Sequence, residues 1–195
     1  MTPDLWGEFT AATKAAERRH FDWLERQGVP HDFLWHGPMR FGVAEIVPSN
    51  DGTYQSIHGG QRAIIMPATP LLAPWEWDDG DDIEDVGDLI AWLPAEPGRW
   101  WCRTGVLPVM NHGAILGAEF YREPLKVWSS PLSWMRASGD GVVILDPVAD
   151  LRFWLGGVHE ILADTPELGR EIDRRLREPA APLPRVMIPK KRLAA

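Results

Sequence analysis

The sequence holds a single cysteine, Cys102, among its 195 residues. That excludes an internal disulfide and any cysteine-rich zinc site. No apolar run comes near the roughly 18 residues needed to cross a bilayer. The opening residues, Met1-Thr2-Pro3-Asp4-Leu5-Trp6, show no basic segment followed by an apolar one, so no signal peptide is expected. No glycine-rich phosphate loop followed by Lys-Ser or Lys-Thr occurs, and the Gly-x-Gly-x-x-Gly pattern is missing too. Basic charge is also short, with 20 Lys and Arg against 28 Asp and Glu and a net charge of −8. A broad grip on nucleic-acid backbone needs a basic face. The only basic cluster outside predicted helices is Lys190-Lys191-Arg192. These absences together point to a cytoplasmic chain without membrane contact.

What is present is an ordinary globular composition, 45% apolar and 25% charged, in a length that one core can serve. Eleven tryptophans and eighteen prolines are the outliers. The prolines predict short elements separated by stiff turns.

At the N-terminus, Thr2 as cap, Pro3 at the first helical position and Gly28 as terminator frame one long helix. Leu5, Phe9, Ala12, Ala16 and Leu24 form its apolar stripe. Phe41–Val47 is β-rich, Ser49-Asn50-Asp51-Gly52 is a turn signal, and Tyr54–Met66 is a second β-prone stretch interrupted by His58-Gly59-Gly60. The pattern predicts a hairpin or meander with a bulge or loop at the glycines. Pro67 to Pro74 must be irregular, and an acidic run follows: Glu76, Asp78, Asp79, Asp81, Asp82, Glu84, Asp85 and Asp88. Strands are expected at Leu89–Leu93 and Trp100–Arg103.

In the second half, strands are expected at Leu125–Trp128, Val142–Leu145, His159–Ala163 and Arg185–Ile188. Helices are expected at Pro131–Ala137, Pro147–Leu155 and Pro166–Arg177. Such alternation suggests βαβ units and a partly parallel sheet. Ser130-Pro131, Asp146-Pro147 and Thr165-Pro166 each place a capping residue before a proline, as Thr2-Pro3 does. The expected fold is therefore α+β or α/β, a long N-terminal helix on a central mixed sheet, β-rich in its N-terminal half and βα-rich in its C-terminal half. Residues 1–189 form one domain, 67–87 an acidic, proline-rich insertion loop, and 190–195 a basic tail.

The stretches Glu123–Trp128, Pro131–Ala137 and Gly141–Asp146, with Asp88–Trp92 and Arg99-Trp100-Trp101 upstream, resemble a family. It comprises uncharacterised proteins from prophage-like and mobile regions of alphaproteobacterial genomes. The resemblance implies a setting, near replication functions, and no activity; no functional residue carries over from it.

Four groups of residues bear on chemistry. Asp78, Asp79, Asp81 and Asp82 could gather oxygen ligands for a divalent cation, but they lack the alternating spacing and distal glutamate of an EF-hand loop. A solvated acidic loop is the favoured reading, with Trp75 and Trp77 beside it as candidate contacts for a protein partner. Asp146 and Asp164 follow predicted strands, where ligands bind in open α/β sheets, and His159 is a third candidate for a metal-dependent hydrolase. Helix capping accounts for both aspartates, Asp146 directly and Asp164 through a capping box with Glu167. His20, His31, His36, His58 and His112 match no zinc spacing. Cys102 beside Trp100 and Trp101 reads as core filling, and one of those two tryptophans is expected to be exposed or at an interface.

The leading expectation is a non-enzymatic accessory or adaptor protein of a phage or mobile element, acting through an unknown protein partner and without a cofactor. A phosphohydrolase or nuclease-like enzyme using the strand-end aspartates is the first alternative. A nucleic-acid binder using the tail and exposed tryptophans is the second.

Overall fold

A computed structural model describes residues 3–36, 39–69 and 86–178. The chain mixes α and β elements around two sheets that share a core.

Its opening departs from the single long helix expected. Asp4, not Thr2, caps helix α1 (Leu5–Lys14), its carboxylate accepting from the Gly7 amide at 2.9 Å. The helix stops there, and α2 (Arg18–Arg26) starts anew after Glu17 turns extended and donates its amide to His20 Nδ1 at 2.9 Å. The break has a packing cause. Phe9 and Ala12 pack with Ile46, Ala63, Ile65, Leu89 and Ala91, whereas Phe21 and Leu24 pack with Val43, Ile64, Met66, Ile90 and Trp92. Those two sets alternate along the same strands and so lie on opposite faces of one sheet. A straight helix cannot reach both. Gly28, at φ +90°, does follow the end of α2 as expected, and a five-residue helix α3 (His31–Trp35) adds Phe33 and Leu34 to the second face.

The first sheet comprises β1 (Gly42–Pro48), β2 (Tyr54–Ser56), β3 (Gln61–Ala68), β4 (Asp88–Trp92) and β5 (Trp100–Cys102), all antiparallel in the order β2-β1-β3-β4-β5. Ile46 pairs with both Ser56 and Gln61, so Ile57 to Gly60 bulge out at the glycines, as expected. The sheet curls until Thr53 bridges Cys102 and the Cys102 amide donates to the Gly52 carbonyl at 2.9 Å. Gly42 lets α1 settle on β1, since a Cβ there would sit 2.4 Å from the Ala12 carbonyl carbon.

The second sheet comprises β6 (Val109–Met110), β7 (Leu125–Trp128), β8 (Val142–Ile144) and β9 (Ile161–Ala163), in the order β6-β8-β7-β9. β7, β8 and β9 run parallel, and β6 is antiparallel to β8. Helix α4 (Gly113–Tyr121) precedes β7, α5 (Pro131–Arg136) joins β7 to β8, α6 (Leu151–Leu155) joins β8 to β9, and α7 (Pro166–Arg177) follows β9. α5 brings Leu132, Trp134 and Met135 into the core shared with the first sheet. Residues of α4, α6 and α7 cover the opposite face. The βα pattern expected for this half is present, with β7 and α7 at the expected bounds. α4 and β6 were not anticipated.

Two polar contacts hold the passage between the sheets. The fully buried Asp88 carboxylate accepts from the amides of Leu89, Thr104 and Gly105 at 2.8, 2.9 and 2.8 Å. Next to it, Arg103 binds Glu8 of α1 through two nitrogens at 2.8 and 2.9 Å. Replacing Asp88 with Ala strands three backbone donors, and a loss of about 3 kcal/mol is expected. Asp88→Asn, which keeps an accepting oxygen, should lose less. Urea titration of the three proteins checks the order.

Candidate functional site

β7, β8 and β9 are parallel, so their carboxyl ends lie along one edge. Both strand-end aspartates sit there, but neither caps a helix. Asp164 Oδ2 accepts from the Ser129 amide at 3.0 Å and its hydroxyl at 2.7 Å, tying β9 to the exit of β7. Thr165 takes over as cap of α7, accepting from Leu168 at 3.2 Å, and Glu167 binds Arg170 instead of closing a capping box. Asp146 Oδ1 accepts from Val148 at 2.8 Å within a turn, and Asp150 caps α6, accepting from Arg152 at 3.0 Å. Both aspartates are occupied by local structure, though not in the way the sequence suggested.

The hydrolase constellation is not assembled. His159 precedes β9 and Asp164 follows it, so they lie at opposite ends of that strand. β8 and β9 flank β7, which places the elements carrying Asp146 and Asp164 two strand spacings apart, roughly 10 Å. Among the described residues, no group of three or more His, Cys, Asp or Glu side chains is arranged to hold a metal ion. Trp75, Trp77, Asp78, Asp79, Asp81 and Asp82 lie outside the described residues, as do the basic tail and the strand expected at Arg185–Ile188.

Beyond β8, where the two sheets meet, lies a cleft of about 370 Å³ lined by Trp100, Cys102, Leu145, Pro147, Ile172 and Arg175. Trp101 is buried and Trp100 is half-buried on the cleft, packed on opposite sides of the sheet as adjacent strand residues are, and neither is exposed. Burial pushes the Cys102 thiol up to about 12, and the charges of Asp88 and Asp146 act in the same sense. It is therefore protonated at neutral pH and fills the core, as the sequence suggested. Arg175 is committed in part to the Ala149 carbonyl at 2.5 Å.

His112, between β6 and α4, is also buried. Its ring meets Trp154 of α6 edge-on at 5.1 Å, and its Nδ1 has no hydrogen-bond partner among the described residues. Burial lowers its pKa, against a smaller upward pull from Glu119. The contact links α6 to the start of α4, and Glu119 of α4 fills the space beside Gly157.

The solvent-facing side chains on and beside those two helices include large aromatics. Phe120 and Tyr121 of α4 are 67% and 60% exposed, Phe153 of α6 is 77% exposed, and Val148 just before α6 is 87% exposed. Phe153 stands edge-on to Trp154 at 5.0 Å, and Phe120 edge-on to Tyr121 at 4.9 Å. Compared with protein-family models, curated proteins and solved structures, the chain matches none of them. Its surface must therefore speak for itself. Large exposed aromatics are a common feature of contact surfaces in general. The sequence reading missed them because it placed no helix over 113–121 and sought exposed aromatics among tryptophans.

Two outcomes follow for the buried groups. A thiol-reactive probe should label Cys102 only on unfolding, with native labelling at least a hundredfold slower than in denaturant. For His112, the folded pKa lies below the unfolded one, so the unfolded chain takes up the proton first as pH falls. Its contribution to stability is full above about pH 6.5 and declines below it, until the folded pKa is reached. His112→Gln should flatten that decline in denaturation curves taken from pH 7.5 to 5.

Proposed function

We propose that this chain is a non-enzymatic accessory or adaptor protein, working in the cytosol through contacts with a protein partner. The setting is that of a phage or other mobile element. The observation that carries the reading is the aromatic surface of α4 and α6, with Tyr121 and Phe153 turned to solvent. Tyrosine and phenylalanine are scarce, at 2 and 6 residues. Their exposure on these helices is costly in water and favourable under a partner. Aromatic anchors with few rotatable bonds lose little entropy on binding, and anchors of this kind dominate interface energetics.

Capture from a host lysate, comparing the native chain with Tyr121→Ala/Phe153→Ala, tests the reading. A partner retained by the native chain should be lost, or bind roughly thirtyfold more weakly, which is the loss of about 2 kcal/mol typical of a hot-spot aromatic. Both side chains are exposed, so the melting temperature should stay unchanged. Equal capture by both proteins would overturn the assignment of this surface. If neutralising Asp78, Asp79, Asp81 and Asp82 alone abolished capture, the contact would lie at the acidic loop instead.

A further inference from the structure

β9 is the last strand in its sheet order, with no described strand on its outer side. The Glu160 carbonyl accepts from Leu125, and the Asp164 amide donates to Val127. Successive residues of a strand point their backbone groups to alternate sides. The amides and carbonyls of Ile161 and Ala163 therefore face the outer side. Beneath that edge runs a groove of about 380 Å³ between β9 and α7, lined by Ile161, Ala163, Gly169, Ile172 and Leu176. An open edge over an apolar groove is shaped to receive one more strand.

The handedness of the sheet says where such a strand comes from. The crossover β8-α6-β9 passes over β7 with α6 on the sheet face opposite to α5. α7 lies on that same face, packed with α6, and Arg175 binds the Ala149 carbonyl just before α6. Parallel crossovers are right-handed almost without exception. Helices on one face therefore carry the chain in one lateral direction. α6 moved it from β8 outward to β9, so α7 must carry it outward again, beyond β9.

We infer that the outer edge of β9 is the seat of a fifth, parallel strand, and that its occupant is this chain's own Arg185-Val186-Met187-Ile188. α7 ends at Arg177, and the seven residues 178–184 suffice for the return, one more than the roughly two to six that such connections commonly take. The segment matches the four residues of β7 in length, and Pro184 and Pro189 bound it. Charge agrees as well. Glu160, Asp164 and Asp173 lie on or beside the groove, and Arg185 with Lys190, Lys191 and Arg192 brings the opposite sign. A seated strand also removes an edge that would otherwise template association between copies. This inference is independent of the aromatic contact surface on α4 and α6.

Hydrogen exchange on the full chain, followed amide by amide, tests it. In the native chain the Ile161 and Ala163 amides should be protected, and Val186→Pro should speed their exchange at least tenfold. Val186→Asp, which keeps its N–H but brings a carboxylate towards Asp164 and Asp173, should do the same. Amides of β4 should be unaffected in both, separating loss of the strand from general unfolding. Equal exchange in native and variant chains would overturn the inference. Protection that grows with chain concentration, alongside a dimer in sedimentation, would also overturn it by making a second copy the occupant.

Discussion

β3 and β4 carry apolar side chains on both faces, and neither face of that strand pair can be left to water. Ala63, Ile65, Leu89 and Ala91 belong to one side, and Ile64, Met66, Ile90 and Trp92 to the other. Each fully buried large side chain contributes about 1.5–3 kcal/mol, so two covering layers are required. α1 supplies one. The other is composite, made by α2, α3, α5 and the inner face of the second sheet, through Met110, Val143 and Leu145. The break between α1 and α2, the position of the second sheet and the role of α5 all follow from that demand.

Trp92 of β4 is fully buried beneath the composite layer. Its indole N–H donates to the Met66 sulfur at 3.4 Å, and the Trp23 ring of α2 lies 5.9 Å away. The polar passage beside this core is handled by charge satisfied on the backbone. Asp88 holds three amides, while Arg103 reaches α1 through Glu8. An acidic residue that looks in the sequence like the end of a solvated run is thus a fully buried structural clamp. A buried carboxylate is tolerable because every hydrogen bond it accepts comes from a group that would otherwise be orphaned.

The same logic separates the residues that hold the protein together from those that could meet a partner. Asp146, Asp164 and Cys102 have polar or packing duties that explain them where they stand. Tyr121 and Phe153 touch the rings of Phe120 and Trp154 yet stay largely exposed, and His112 and Glu119 link the helices that carry them. Aromatic anchors on helices suit recognition, since few rotatable bonds remain to be ordered on binding.

Local signals were legible where a few adjacent residues decide the outcome. Ser130-Pro131 and Thr165-Pro166 cap helices because the hydroxyl and the proline ring act within one turn, and the Gly59-Gly60 bulge is a backbone matter of the same range. Asp146-Pro147 shows the limit. The same pair makes a turn, and Asp150 wins the helix because it stands next to Leu151, the residue that the core buries. α4 was hidden because Gly113 and Gly117 weaken its intrinsic preference, so packing of Ile115 and Ala118 decides it. By itself, then, the sequence determined the mixed α and β content, the turns, the caps of α5 and α7 and the core character of Cys102. Only the tertiary structure decided the break after α1, the burial of Asp88, the distance between strand ends and the exposed aromatic face. Those depend on which surfaces meet across long stretches of chain, and no local pattern encodes that.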